Sequence, residues 1–189
     1  MMRFVLLILS FFVGLTFSNA QNHEKFETYI IWKPNEKLVW SDFKAKPKPN
    51  GYESALTASS IELAYESSSE KKGFEIQVLC KFYPLMSWSV KSKQSDYILA
   101  HEQLHFDITE LYARKLRKAL KEKITKSSQT ALANKIWQDI MREWNLVQNQ
   151  YDTETQHSLK EFKQQQWETK IQEELATLSD YASSSVFIP

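Results

Sequence analysis

The sequence lacks the features that would tie the chain together covalently or attach it to a nucleic acid. Cys80 is the only cysteine, so no disulfide can form within the chain. The chain has 24 lysines and arginines and 23 acidic residues. If Arg3 is left out, because it belongs to the distinct N-terminal segment of residues 1–20, 23 basic residues balance 23 acidic ones. This balance argues against a nucleic-acid partner, because such proteins normally present a basic surface. No internal repeat and no low-complexity segment stands out.

Long apolar runs are also absent after residue 20, whereas residues 1–20 are mostly apolar. Arg3 precedes an unbroken apolar run, Phe4 to Leu9, and the stretch ends with the small residues Ser18-Asn19-Ala20. This order is typical of a secretory signal peptide cleaved after Ala20, and it predicts a secreted or periplasmic protein. A transmembrane anchor is the alternative, although the apolar stretch is short and interrupted. We expect no membrane anchor after cleavage, because no cysteine stands directly after the cleavage site for lipid attachment.

Residues 21–189 are long enough for a single domain with a real core. In its first half, residues 74–82 alternate between apolar and polar side chains, as in a strand with one buried face. Residues 55–65 are rich in Thr, Ser and aliphatic residues, and a polar turn at residues 66–73 joins the two runs. We therefore predict a β-hairpin.

From Ser95 onward the pattern is helical. Ser95 is a good N-cap, and an apolar stripe at helical spacing starts with His101 and His105, which predicts that both histidines lie on the buried face. A second helix is expected from about Gln129 to Gln150. The resulting fold class is α+β, with an N-terminal antiparallel sheet packed on three helices.

The third helix is expected to begin near Ser158, where Ser158 and Glu161 form a capping-box pattern. Leu159 and Phe162 are predicted to start its apolar face. The tail from Ser179 is expected to be frayed.

The first helix carries the pattern His101-Glu102-x-x-His105. Residues four apart share a helix face, so both imidazoles can bind one zinc ion (Zn2+). Glu102 lies one residue further round the helix, where its carboxylate can act as general base on a water molecule that zinc acidifies. The alternative is two histidines that are hydrogen-bonded at the margin of a core.

A catalytic zinc site needs a third protein ligand. Ile108 and Leu111 stand where a metzincin would have glycine and histidine, which excludes that class. Glu110 is about 140° from His105 around the helix. His157 remains, at the predicted junction of helices two and three, and we predict it as the third ligand. Its alternative is a solvated loop histidine.

Further roles are predicted around these ligands. Asp152 is expected to orient a metal-bound histidine, with Asp107 and Glu110 as alternatives, although exposed helical carboxylates are the simpler interpretation of these two. Tyr151 is a predicted catalytic residue that donates a hydrogen bond to a developing oxyanion, with packing at a helix end as its alternative.

The sequence resembles the family called domain of unknown function 922, whose members are described as secreted zinc-dependent proteases. The resemblance covers nearly the whole mature chain and is carried by four blocks: WSDF at 40–43, LAHEQLHFDITELYAR at 99–114, YDTETQH at 151–157 and QQQW at 164–167. It implies a zincin-like fold with zinc at His101 and His105, and His157 matches the second histidine block. Ser158 stands where the family often has glycine.

These patterns together predict an exported, single-domain, zincin-like metallopeptidase. Its partner is a peptide or protein substrate, which could add itself as a strand to a sheet edge. The alternative is a non-catalytic binding or scaffold protein of the cell envelope, braced by zinc.

Overall fold

A computed structural model of the chain describes residues 29–47, 53–67, 73–126 and 128–188. The predicted signal peptide, residues 1–20, lies outside these ranges. Within them, no helix is both long and apolar enough to cross a membrane.

The predicted hairpin is confirmed and forms the centre of an antiparallel sheet. The strands are β1 (Ile30–Ile31), β2 (Ala55–Leu56), β3 (Ser59–Ser67), β4 (Phe74–Phe82), β5 (Trp88–Ser89) and β6 (Ser185–Ile188). β3 pairs with β4 along its whole length, while β1 and β6 pair with the two ends of the other edge of β4. β2 and β5 form a separate antiparallel pair. Alternate side chains of β4 are buried, as predicted: Ile76, Val78, Cys80 and Phe82.

The expectation of a frayed tail is wrong. After a 3-10 turn at Ser179–Tyr181, the chain forms β6, in which Val186 and Ile188 are buried. Two alternating apolar side chains are too short a pattern to identify a strand from sequence. The unpaired edge of β4 supplies the hydrogen-bonding partners that the local sequence does not show.

The described part of the chain has three α-helices, α1 (Asp96–Lys123), α2 (Thr130–Thr155) and α3 (Glu161–Thr177), of which α1 packs on the sheet. Ser95 caps α1 as predicted, because its hydroxyl accepts a hydrogen bond from the Ile98 amide at 3.2 Å. α1 lies between the sheet and the other two helices and contacts all of them. Sheet and helices together confirm the α+β class.

The predicted end of the second helix is wrong. α2 continues to Thr155, so Tyr151 and Asp152 lie on the helix and not in a junction. Asp and Thr are weak helix formers, but Tyr151 and Thr155 are fully buried and the Thr155 hydroxyl donates to the Tyr151 carbonyl oxygen at 2.7 Å. Packing therefore extends the helix where propensity would end it.

The predicted capping box is also wrong. Gln156, His157 and Ser158 form the turn between α2 and α3, and all three have positive φ, at 50°, 53° and 72°. This left-handed turn moves Ser158 away from the N-cap position, which Lys160 occupies without a side-chain bond. Consequently Leu159 and Phe162 are exposed instead of starting an apolar face.

A buried ion cluster joins α1 to the sheet and to the C-terminal segment. The Glu110 carboxylate accepts hydrogen bonds from Arg114 Nε at 2.9 Å and Arg117 Nη1 at 2.8 Å. Arg117 also donates to the backbone oxygens of Val78 at 2.8 Å and Tyr181 at 3.1 Å. Glu110, predicted as another alternative residue to orient a metal-bound histidine, is therefore hydrogen-bonded to two arginines.

Candidate metal centre

The two helical histidines converge on one carboxylate. His101 Nε2 lies 3.3 Å and His105 Nε2 lies 3.1 Å from Asp152 Oδ1. One donor atom from each of these three residues lies within 4.8 Å of the others, which is close enough to hold a single metal ion. The four-residue spacing on α1 places both rings on one face, and the C-terminal end of α2 supplies the carboxylate.

The other nitrogen of each ring contacts a glutamine. His105 Nδ1 is 2.6 Å from Gln148 Oε1, and His101 Nδ1 is 3.2 Å from Gln164 Oε1. Sequence reasoning missed both glutamines. Gln148 precedes Asp152 by four residues, and this spacing would place both on one helix face once α2 is known to reach Asp152.

Electrostatic coupling is strong between the histidines and Asp152. Burial lowers the pKa of His105, but the hydrogen bond and charge of Asp152, together with the charge of Glu102, outweigh it and raise the pKa to about 9. Burial raises the pKa of Asp152, but hydrogen bonds with His101 and His105 outweigh burial and hold it well below its usual range. In the absence of metal, a proton on His105 therefore balances the carboxylate.

Glu102 is buried and only partly satisfied. Glu102 is 4% exposed, and its Oε2 has no hydrogen-bond partner among the residues that the structure describes. Its backbone oxygen accepts a hydrogen bond from Thr57 Oγ1 at 3.0 Å. A buried carboxylate oxygen without a partner is costly, and the charge of Glu102 also contributes to the raised pKa of His105.

Tyr151 packs the histidine rings. It is fully buried and stacks on His101 with 4.6 Å between ring centroids, and its ring meets that of His105 edge-on at 4.8 Å. Its hydroxyl donates to the His101 backbone oxygen at 3.4 Å. Burial, with smaller contributions from Glu102 and Asp152, raises its pKa. The oxyanion role of Tyr151 stays a prediction, since its hydroxyl is directed at the backbone here.

His157 lies at the edge of this group. Its side chain is 63% exposed, and its Nδ1 is 3.5 Å from Asp152 Oδ1. Its backbone amide donates to the Asp152 carbonyl oxygen at 2.9 Å, which holds the left-handed turn against the end of α2. The structure thus brings His157 to Asp152, and its role as third ligand stays a prediction.

Asp107, predicted as an alternative residue to orient a metal-bound histidine, instead binds residues away from the histidines. Its carboxylate accepts hydrogen bonds from Trp32 Nε1 at 2.7 Å, Gln103 Nε2 at 2.8 Å and Lys37 Nζ at 3.2 Å. These contacts fasten the segment around Lys37 to α1. Among the predicted second-sphere carboxylates, Asp152 is the one that contacts the histidines.

Comparison with known proteins gives one match. Residues 86–158 match the model of the family DUF922, described as "bacterial protein of unknown function". A search of curated proteins finds no match, and neither does a search of solved structures. The matched segment is less than half of the chain, but it includes α1, α2 and the turn with His157. Over the segment that holds His101, His105, Asp152 and His157, this chain is therefore similar to the bacterial family of unknown function DUF922.

Proposed function

We propose that this chain is an exported, zinc-dependent hydrolase of peptide bonds. The observation that supports the proposal is the convergence of His101 Nε2, His105 Nε2 and an Asp152 oxygen within 4.8 Å. Glu102, whose Oε2 has no hydrogen-bond partner within the described ranges of the chain, follows the first histidine directly in the sequence.

The donor set fits zinc. Two imidazole nitrogens and one carboxylate oxygen are typical ligands of a catalytic zinc site, whereas magnesium and calcium prefer oxygen alone. Three protein ligands leave the fourth position for a water molecule or the substrate. The second contact of each histidine, to a glutamine oxygen, matches the support that metal-bound histidines usually have.

Each residue then has a defined task. A zinc ion at this position would be held by His101, His105 and Asp152, and it would supply the acidity of a bound water molecule and the polarisation of the scissile carbonyl. Glu102 accepts the proton of the attacking water on its free carboxylate oxygen and delivers that proton to the leaving amine nitrogen. Tyr151 keeps the His101 and His105 rings in place by packing against both.

The C-terminal end of α2 and its turn offer two candidates for the third ligand. Asp152 is in place in this conformation, because its Oδ1 is within 3.3 Å of both histidine nitrogens. His157 reaches Asp152 but is largely exposed. We assign Asp152 as the third ligand, so Asp152→Asn should weaken zinc binding more than His157→Ala; the reverse order would transfer the assignment to His157.

A zinc-braced binding or scaffold protein is the second candidate. It is favoured by the approach of His157 Nδ1 to within 3.5 Å of the oxygen that both other histidines contact. If Asp152 and His157 both bound zinc together with the two helical histidines, four protein ligands would close the site, as in structural zinc centres.

Substitution of Glu102 separates these two functions. We expect Glu102→Gln to retain zinc and to lower the hydrolysis of a peptide library by about 10²- to 10⁴-fold, as for the loss of a general base. Glu122→Gln, on the exposed end of the same helix, is the matched control and should retain full activity. Hydrolysis that is unchanged in Glu102→Gln, or absent from zinc-loaded wild type, would favour the scaffold.

A further inference from the structure

The amide of Gln148 is held at both ends, and this fixes its orientation. Gln148 Nε2 lies 2.9 Å from the backbone oxygen of His105 and 3.1 Å from Thr109 Oγ1. A backbone oxygen can only accept a hydrogen bond, so the amide nitrogen must face it and Oε1 must face the other way. That oxygen lies 2.6 Å from His105 Nδ1. Since Oε1 can only accept, Nδ1 must carry the proton.

The same reasoning applies to Gln164 on α3. Its Nε2 lies 3.3 Å from the Tyr97 backbone oxygen and 3.2 Å from Glu168 Oε1, both of which are acceptors. Its Oε1 is therefore turned to His101 Nδ1, at 3.2 Å. Gln164 is only 1% exposed, so water does not compete for these contacts.

From these contacts we infer that Gln148 and Gln164 are positioning residues, which keep a proton on Nδ1 of His105 and His101. Each ring then turns its Nε2 toward the shared Asp152 oxygen, and Nε2 can bind a metal ion once no proton lies between it and that carboxylate. The metal part of this inference rests on the proposed zinc site, whereas the position of the ring protons does not.

The two glutamines come from different helices, and this has a structural consequence. Gln148 belongs to α2 and Gln164 to α3, while both histidines belong to α1. Each imidazole is thus fixed by a helix other than its own. The tautomers therefore depend on how the three helices pack, and not on α1 alone.

Two substitutions of Gln148 separate positioning from packing. Gln148→Met keeps a side chain of similar length but removes the acceptor oxygen, whereas Gln148→Glu keeps an acceptor and removes the donor to the His105 backbone. Gln150→Met is the control, since Gln150 bonds to Glu154 on the exposed side of the same helix. We expect Gln148→Met to weaken zinc about 10- to 100-fold in competition with a chromophoric chelator. Gln148→Glu and Gln150→Met should stay close to wild type. A purely structural role predicts equal losses for Met and Glu, and that result would overturn the inference.

NMR of ¹⁵N-histidine in the metal-free full-length protein tests the ring protons directly. We expect both rings of wild type to carry a proton on Nδ1, with exchange slowed by the glutamine oxygens, and Gln148→Met to lose this slowing at His105 only. A neutral Nε2–H tautomer at either ring in wild type would overturn the inference, even if zinc binds. Protons on Nδ1 in a zinc-binding protein that cleaves no peptide would support the inference and overturn only the proposed function.

Discussion

Replacing Arg117 by methionine tests the buried ion cluster that holds α1 against the sheet. The guanidinium of Arg117 donates to the Glu110 carboxylate and to the backbone oxygens of Val78 and Tyr181. The side chains of Arg117 and Glu110 are each only 3% exposed. Methionine fills much of the same volume but removes the Arg117 donor from the Val78 and Tyr181 oxygens and leaves Arg114 as the remaining donor to Glu110.

The size of the effect follows from burial. Removing one partner of a buried ion pair costs about 3 to 5 kcal/mol, and the lower end applies here because Arg114 still donates to Glu110 at 2.9 Å. About 3 kcal/mol corresponds to a fall in Tm of roughly 6 to 12 °C for a domain of this size. The histidines and Asp152 are untouched, so zinc binding at 25 °C should change little.

Urea unfolding, followed by circular dichroism, measures this loss. Arg142→Met is the matched control, because Arg142 pairs with Asp139 where the side chains are 69% and 43% exposed. Such a pair contributes at most about 1 kcal/mol. If Arg117→Met and Arg142→Met shift the unfolding midpoint equally, the buried cluster does not stabilise the fold and the reasoning is refuted.

Two further predictions concern the site and the sheet. In the metal-free protein, prepared with a chelator, the pKa of His105 is raised from 6.5 to about 9. The pairing of protonated His105 with Asp152 therefore stabilises the protein fully below pH 6.5, and this stabilisation is lost as the pH rises through 9. Wild type should therefore lose on the order of 3 kcal/mol of unfolding free energy relative to His105→Gln between these pH values, and a constant difference in urea titrations would contradict this. Ile188→Ala should cost about 2 to 5 kcal/mol because the side chain is buried against the sheet, whereas Leu146→Ala, at an exposed position, should change stability by less than about 0.5 kcal/mol. Equal thermal unfolding of these two variants would show that β6 is not packed as described.

Features set by local spacing could be predicted from the sequence. The alternation in residues 74–82 places one face of β4 in the core, and a separation of four residues places His101 and His105 on one side of α1. Ser95 caps α1 because capping depends on a hydroxyl and amides only a few residues away.

Features set by contacts between distant segments could not be predicted. α2 continues through Asp152 because Tyr151 and Thr155 are buried, and this burial outweighs the weak helix propensity of the intervening residues. The strand Ser185–Ile188 exists because an edge of β4 is available. The capping pattern at Ser158 fails because three consecutive residues adopt the left-handed conformation.

The wrong prediction for the end of α2 also affected the prediction of the metal ligands. With α2 ending early, Asp152 appears as a loop residue that supports a ligand; with α2 extended, Asp152 faces His101 and His105 directly. Gln148 and Gln164 gave no signal of their own, because glutamine becomes informative only when both ends of its amide are located. Zincin-like geometry stays a prediction, since no solved structure matches the chain.

The zinc content of the purified protein tests the central claim most directly. After dialysis against buffer with excess zinc and then without it, elemental analysis should find about one zinc ion per chain in wild type. The double variant His101→Ala/His105→Ala should retain almost none, whereas the single variant Glu102→Gln should retain it. Wild type without zinc, or equal zinc in wild type and the double variant, would contradict the metal centre at His101, His105 and Asp152.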